Sequence, residues 1–191
     1  MWISAKEFVR IALEEDLGHG DITSSLIIGD EQASAHIIAK EAFILAGMPF
    51  LSDVFDSVGG AVKIDLLFAE GTRIVKGDIL ARLSGLAKSL LAGERVALNI
   101  LQHLSGIATT TGNFVEEVKG LPVRIVDTRK TTPGMRLLEK YAVTVGGGAN
   151  HRFGLYDGIL IKDNHIKLAG GVKRAIRLTK RRTISLRSRS K

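Results

Sequence analysis

The chain has 191 residues, 45% of them hydrophobic, no cysteine, and a formal net charge of +7. That length supports one ordinary domain or two small ones with a real core, while the composition excludes disulfides, thiolate metal sites and Cys nucleophiles. No apolar run approaches the roughly 18 residues of a membrane span, and Met1-Trp2-Ile3-Ser4-Ala5-Lys6-Glu7 lacks the basic-then-apolar order of a signal peptide, so no membrane partner and a cytoplasmic location are expected.

Ser4-Ala5-Lys6-Glu7 has capping-box spacing, and Phe8, Ile11, Ala12 and Glu15 continue it at helical intervals, which predicts a helix over about 4–15 followed by a loop, 16–21. From about 33 to 85 the pattern changes to short strands at 35–39, 61–67 and 79–83 between Gly-containing turns, with one short helix over 48–58. The segment 70–81 has the hairpin rhythm of a small β-sandwich. A cofactor-carrying version needs a Lys at a hairpin tip between small or Met residues; none is present, and the segment reads as structural. Residues 88–118 form a long helical region, with a break expected near Gly106 or Gly112. Leu90, Ala97, Leu101, Leu104 and Ala108 repeat on one face of it, and Glu94 and Arg95 lie off that stripe. Next come a strand at 123–127, a helix over about 133–144, a Gly-rich loop at 145–150, a strand at 158–162 and a helix from about 171. This βαβα order argues for a parallel sheet or barrel with its site at the strand C-termini, and the two units are too few to close a barrel.

Charge is unevenly spread. Residues 172–191 carry nine Lys/Arg and no acid, leaving 18 Lys/Arg against 20 Asp/Glu elsewhere. The tail lacks interleaved aromatics and follows no nucleic-acid-binding pattern, so a nucleic-acid partner is disfavoured.

The stretch Asp127-Thr128-Arg129-Lys130-Thr131-Thr132-Pro133-Gly134 puts two cations just past a strand end, and Thr132-Pro133 has the order of an N-cap with Pro at the first helical position. A helix N-terminus flanked by cations attracts anions. Planar Arg suits a carboxylate or phosphate in bidentate geometry, and Lys serves as a point charge. The alternative is a set of solvated loop charges. The second strand ends in Lys162-Asp163-Asn164-His165, and a Lys closing an apolar strand would be costly to bury alone. With His151 and Arg152 it points to a ligand bearing several negative charges. No GxxxxGK[ST], GxGxxG, HExxH or GxSxG motif occurs, and His151 and His165 lack acids at ligand spacing, so no protein-bound metal is expected. His19, His36 and His103 read as satisfied or surface histidines, and the Gly146–Gly148 run as a close approach or a turn.

These pieces resemble the quinolinate phosphoribosyltransferase family, also called carboxylating nicotinate-nucleotide pyrophosphorylases. Carrying the resemblance are Glu15-Asp16-Leu17-Gly18-His19-Gly20-Asp21-Ile22-Thr23, Gly93-Glu94-Arg95-Val96-Ala97-Leu98-Asn99, Leu104-Ser105-Gly106-Ile107-Ala108-Thr109, the Asp127–Gly134 stretch, and the run from Glu139 through His151-Arg152 to His165. A paralogue associated with molybdenum transport shares the pattern and stays as an alternative, as does an inactive fragment with a basic binding tail. The resemblance implies an α/β fold with an N-terminal α/β sandwich and its long connecting helix (1–106), an incomplete (β/α) barrel (107–178) and a basic tail outside the family pattern (179–191). It implies phosphoribosyl transfer from phosphoribosyl pyrophosphate to quinolinate, with Mg2+ and with loss of CO2, giving nicotinate mononucleotide for NAD synthesis. It also implies a homodimer or higher homo-oligomer with shared sites. Carried over by residue, Arg129, His151, Arg152 and Lys162 surround the quinolinate carboxylates, and Arg95 enters from the partner subunit. Thr128, Lys130 and Lys162 line the phosphoribosyl side, and Lys130 and Lys162 act in catalysis. The switch to an acid-free tail reads as a truncated or frameshifted frame, for which weak turnover and poor solubility are expected.

Overall fold

The computed structural model describes residues 4–188, with side chains described through residue 180. Met1 to Ile3 and the basic side chains from Arg181 onward lie outside the described residues. The chain divides into two compact units, Met1–His151 and Arg152–Lys191.

The first unit opens with helix α1 (Ala5–Leu17), where the Ser4 hydroxyl accepts the Glu7 backbone N–H at 3.1 Å. Only half of a reciprocal capping box forms, because the Glu7 carboxylate accepts from Arg10 instead, at 2.8 and 3.1 Å. The expected loop at 16–21 ends in a short helix that the pattern did not announce, α2 (Ile22–Ile27). Asp21 caps it by accepting the Ser24 N–H at 3.0 Å, and the Ser24 hydroxyl followed by its N–H hold the Asp21 carboxyl below its usual range.

Strands β1 (Gln32–Ile38), β3 (Lys63–Leu66) and β5 (Ile79–Leu86) form an antiparallel sheet in the order β1-β5-β3, bulged between Ile37 and Ile38. Two short strands, β2 (Phe43–Ile44) and β4 (Arg73–Ile74), pair separately. Helix α3 (Pro49–Val58) lies where helical spacing placed it and buries Leu51, Val54 and Phe55.

Helix α4 (Ala87–Glu117) organises the unit and is unbroken at Gly106 and Gly112. Its predicted stripe of Leu90, Ala97, Leu101, Leu104 and Ala108 is buried, and Glu94 and Arg95 are exposed. Fully burying side chains such as Leu45, Leu51 and Leu104 stabilises by about 1.5–3 kcal/mol each. The helix also serves the strand backbone. Thr109 Oγ1 accepts the Ile44 N–H at 2.8 Å, and Ser105 Oγ accepts the Ala46 N–H at 3.0 Å and donates to Ala46 O at 3.2 Å. Those buried amides would otherwise lack partners. A Cβ on Gly112 would lie 2.3 Å from Ile44 Cδ1, so this glycine lets β2 approach rather than breaking the helix.

After α4 the structure departs from the expected strands. The run Val123–Val126 forms no extended strand; Val126 makes a single parallel bridge with Ala149, and Val123 and Val126 are exposed. Between the bridged residues runs helix α5 (Arg136–Val145). The helix starts later than Thr132-Pro133 predicted. Met135 occupies the N-cap without a side-chain cap, and the Thr132 N–H donates to Glu139 Oε2 at 3.2 Å, so Thr132 belongs to a turn.

In the second unit the expected strand at 158–162 is absent, and Ile159 and Leu160 are exposed. A helix the pattern missed, α6 (Asp163–Ala169), begins directly after Lys162 and ends at Gly170 in left-handed conformation. Helix α7 (Val172–Ser188) follows. No described helix is long and apolar enough to cross a membrane.

Candidate active site

In the first unit the chemistry-bearing residues meet at Asp127. Its side chain is 6% exposed and is paired with Lys140 Nζ, itself 3% exposed. The same Oδ1 accepts the His151 backbone N–H at 2.8 Å, and Lys140 Nζ also donates to His151 O at 3.1 Å. With its amide nitrogen turned inward, Asn150 donates to Asp127 Oδ2 at 2.6 Å and to Lys140 O at 2.9 Å. The Asp127 N–H donates to Ala149 O at 3.1 Å, and the Ala149 N–H to Ile125 O at 2.9 Å. One carboxylate thus joins the end of the 123–127 segment to the Gly-rich loop. Removing one member would leave a buried charge without compensation.

Gly146 brings that loop onto α4: a Cβ there would stand 2.3 Å from Ala108 O, and Gly147 adopts φ +87°. Both readings of the glycine run, close approach and turn, therefore apply at adjacent residues.

Thr128, Arg129 and Lys130 follow Asp127 directly in the chain. Thr128 Oγ1 accepts the Lys130 N–H at 3.0 Å. Lys130 is exposed, and Arg129 is half-buried with its Nε shielded from solvent and without a hydrogen-bond partner among the described residues. The loop is held from behind. Arg136 Nε donates to Thr131 Oγ1 at 3.0 Å, and its Nη2 reaches Arg129 O at 3.4 Å. Glu139 accepts from Thr132 N and pairs with His103 Nε2 at 3.1 Å, giving that histidine a structural role. Of the clustered cations, Arg136 therefore clasps the loop.

Arg95 is exposed on α4 and has no hydrogen bond or ion pair among the described residues. In the second unit, Arg152 Nη1 donates to Gly158 O at 2.8 Å, and the Phe153 N–H donates to Asp157 Oδ2 at 2.6 Å, folding the 152–158 loop on itself. Lys162 precedes α6, and its backbone N–H donates to His165 Nδ1 at 3.0 Å. Its side chain is exposed. This corrects the reading of Lys162 as a cation burdened by burial: the segment before it packs no apolar face over it.

Sequence reasoning missed Lys140. On α5 the apolar stripe is Leu138, Tyr141, Ala142 and Val145, and Lys140 falls opposite it, where periodicity assigns solvent. Its partner is 13 residues away in sequence, a spacing that carries no signal. It also missed Glu70, which accepts from Gly47 N at 3.0 Å, Met48 N at 2.7 Å and the Tyr141 hydroxyl at 2.6 Å. Burial first, and Glu70 second, push the Tyr141 phenol upward. The Tyr141 ring packs edge-on against Phe50 at 5.4 Å between centroids.

Residues 21–105 match the quinolinate phosphoribosyl transferase N-terminal domain and residues 107–186 its C-terminal domain. The chain is 48% identical over 173 residues to a probable carboxylating nicotinate-nucleotide pyrophosphorylase of Bacillus subtilis, covering 91% of this chain and 60% of that protein. It is 41% identical over 174 residues to the chloroplastic nicotinate-nucleotide pyrophosphorylase of Arabidopsis thaliana, covering 90% and 49%. Among solved structures, NadC from Streptococcus pyogenes superposes with a TM-score of 0.88 at 44% identity, covering 92% of this chain and 62% of that one. The chain thus spans about half to three-fifths of the length of these curated relatives.

Proposed function

This chain belongs to the quinolinate phosphoribosyltransferase family, and from that premise we propose that it serves the transfer of a phosphoribosyl group to quinolinate with loss of CO2, in NAD biosynthesis. The pyridine nitrogen of quinolinate attacks the anomeric carbon of phosphoribosyl pyrophosphate, and the bond to pyrophosphate breaks with its electron pair. The positive ring nitrogen of the resulting pyridinium stabilises the electron pair left on C2 when the 2-carboxylate departs as CO2, and C2 then takes a proton from solvent. The ring nitrogen is the nucleophile, so no catalytic base is required. The protein's task is to hold two polyanions together and stabilise the charge developing on the leaving group.

Arg129, His151, Arg152 and Lys162 take the quinolinate carboxylates in this proposal, with Arg95 supplied by a partner subunit of a homodimer or higher homo-oligomer. Thr128, Lys130 and Lys162 face the phosphoribosyl group, and Lys130 and Lys162 offset the charge on pyrophosphate. Mg2+ is proposed to arrive on the pyrophosphate as part of the substrate. Among the described residues no three His, Cys, Asp or Glu side chains are placed to hold a metal, and no step is assigned to a protein-held ion. The absence of cysteine accords with a cytoplasmic site of action.

The supporting observation is the Arg129 guanidinium, its Nε buried without a partner among the described residues, on a loop that follows Asp127, which accepts the His151 N–H. Thermal unfolding with added ligand tests the reading. Quinolinate should raise Tm, nicotinate, with one carboxylate, should raise it less, and Arg129→Ala should abolish the quinolinate shift. An equal response to both ligands, or a shift that persists in Arg129→Ala, contradicts it.

A further inference from the structure

We propose that Lys140 is a positioning residue for this site: by holding the Asp127 carboxylate it fixes His151 and the Thr128–Lys130 loop in one mutual arrangement. The proposal rests on the substrate reading above. Lys140 is 2% exposed and projects from the side of α5 opposite its apolar stripe. Its ammonium pairs with Asp127 Oδ1 and donates to His151 O, while the same Oδ1 takes the His151 N–H and Oδ2 takes the Asn150 amide. An ionised carboxylate has about four acceptor sites, and three donors from two separate chain segments fill three of them here.

A buried ion pair is weak support for stability, since an apolar pair of similar volume packs as well or better. Geometry is what the ion pair adds. Asp127 immediately precedes the residues proposed to grip one carboxylate, and His151 is proposed to grip another, so the spacing between the two grips is set at Asp127. A dicarboxylate with fixed separation tolerates little error in that spacing, because small misplacements cost binding and rate steeply.

The double substitution Asp127→Leu/Lys140→Met separates positioning from stability, because it removes both charges and keeps the volume. Three quantities are read: Tm, quinolinate affinity by calorimetry, and hydrogen exchange at the His151 backbone N–H. The expected result is a Tm near that of the wild type, quinolinate affinity lower by about tenfold or more, and faster exchange at His151 with unchanged protection of interior α5 amides. Wild-type affinity together with a protected His151 N–H in the double variant overturns the proposal. If the double variant does not fold, the wild type still decides, since a His151 N–H that exchanges freely there is incompatible with the lock. A wild type that binds no quinolinate, yet loses His151 protection on double substitution, supports the lock and contradicts the substrate reading.

Discussion

Arg129 keeps a guanidinium nitrogen out of solvent without a partner among the described residues, and its planar fork favours a carboxylate held by two parallel N–H donors. Arg129→Lys retains the charge and loses the fork, so quinolinate affinity should fall by about tenfold or more, at roughly 1.5–3 kcal/mol per charged hydrogen bond. Calorimetric titration of the variant checks this. Tyr141 gives a pH signature in stability. Its folded-state pKa is raised above the ordinary value of 10.0, so the stability gained by keeping the phenol neutral is complete below that pH and is lost as pH rises above it. Tm measured from pH 8 upward should show the advantage of the wild type over Tyr141→Phe shrinking beyond about pH 10. A constant difference would remove Tyr141 from the account. At this scale the sequence announced the candidates but not their anchors. Arg129, Lys130 and His151 are legible because cations beside a chain reversal suggest an anion, whereas Lys140 and Glu70 act through partners 13 and 71 residues away.

Elements with strong periodicity matched their expectations closely. In α3 and α4 the apolar spacing coincides with the buried face, whereas α1 forms as expected but buries Val9 and Leu13 and leaves Ile11 and Glu15 of the expected stripe exposed; the β1, β3 and β5 segments pair as an antiparallel sheet. Strands at 123–127 and 158–162 were read from apolar runs, and such a run becomes a strand only when neighbours pair with it and cover it. Here Val126 has one bridge, to Ala149, and Ile159 remains 65% exposed. The helix after Pro133 was displaced for a local reason: Glu139 takes the Thr132 N–H, which makes a turn where an N-cap was expected. The glycines of α4 and its neighbouring loop sort by environment. A Cβ at Gly106 meets nothing within 4 Å, so Gly106→Ala should stabilise by about 0.5–1 kcal/mol through helix propensity. Gly146 has an ordinary φ of −74° but would press its Cβ against the Ala108 carbonyl, so Gly146→Ala should cost about 2 kcal/mol through overpacking. Urea unfolding of the two variants gives both numbers, and a Gly146→Ala protein as stable as the wild type would mean that the loop does not rest on α4.

The whole molecule poses the question of how Arg95 contributes. It stands exposed on α4 with no ion pair among the described residues, and the proposal assigns it to a neighbouring subunit's site. In a symmetric dimer with shared sites, Arg95→Ala and Arg129→Ala chains should each bind quinolinate poorly. An equal mixture, allowed to exchange subunits, should recover roughly a quarter of the sites, because half of the dimers pair one intact site with one doubly altered site. No recovery in a mixture shown to have exchanged would place Arg95 outside the site. The sequence could supply this arrangement only through family resemblance, since an exposed Arg on a helix carries no mark of the chain it serves.

The central claim is that the loop after Asp127 is a dicarboxylate grip, and a crystal structure of the chain with quinolinate tests it most directly. The account predicts one quinolinate carboxylate within hydrogen-bond distance of the Arg129 guanidinium and the other beside His151. Quinolinate bound elsewhere, with Arg129 uninvolved, would contradict it.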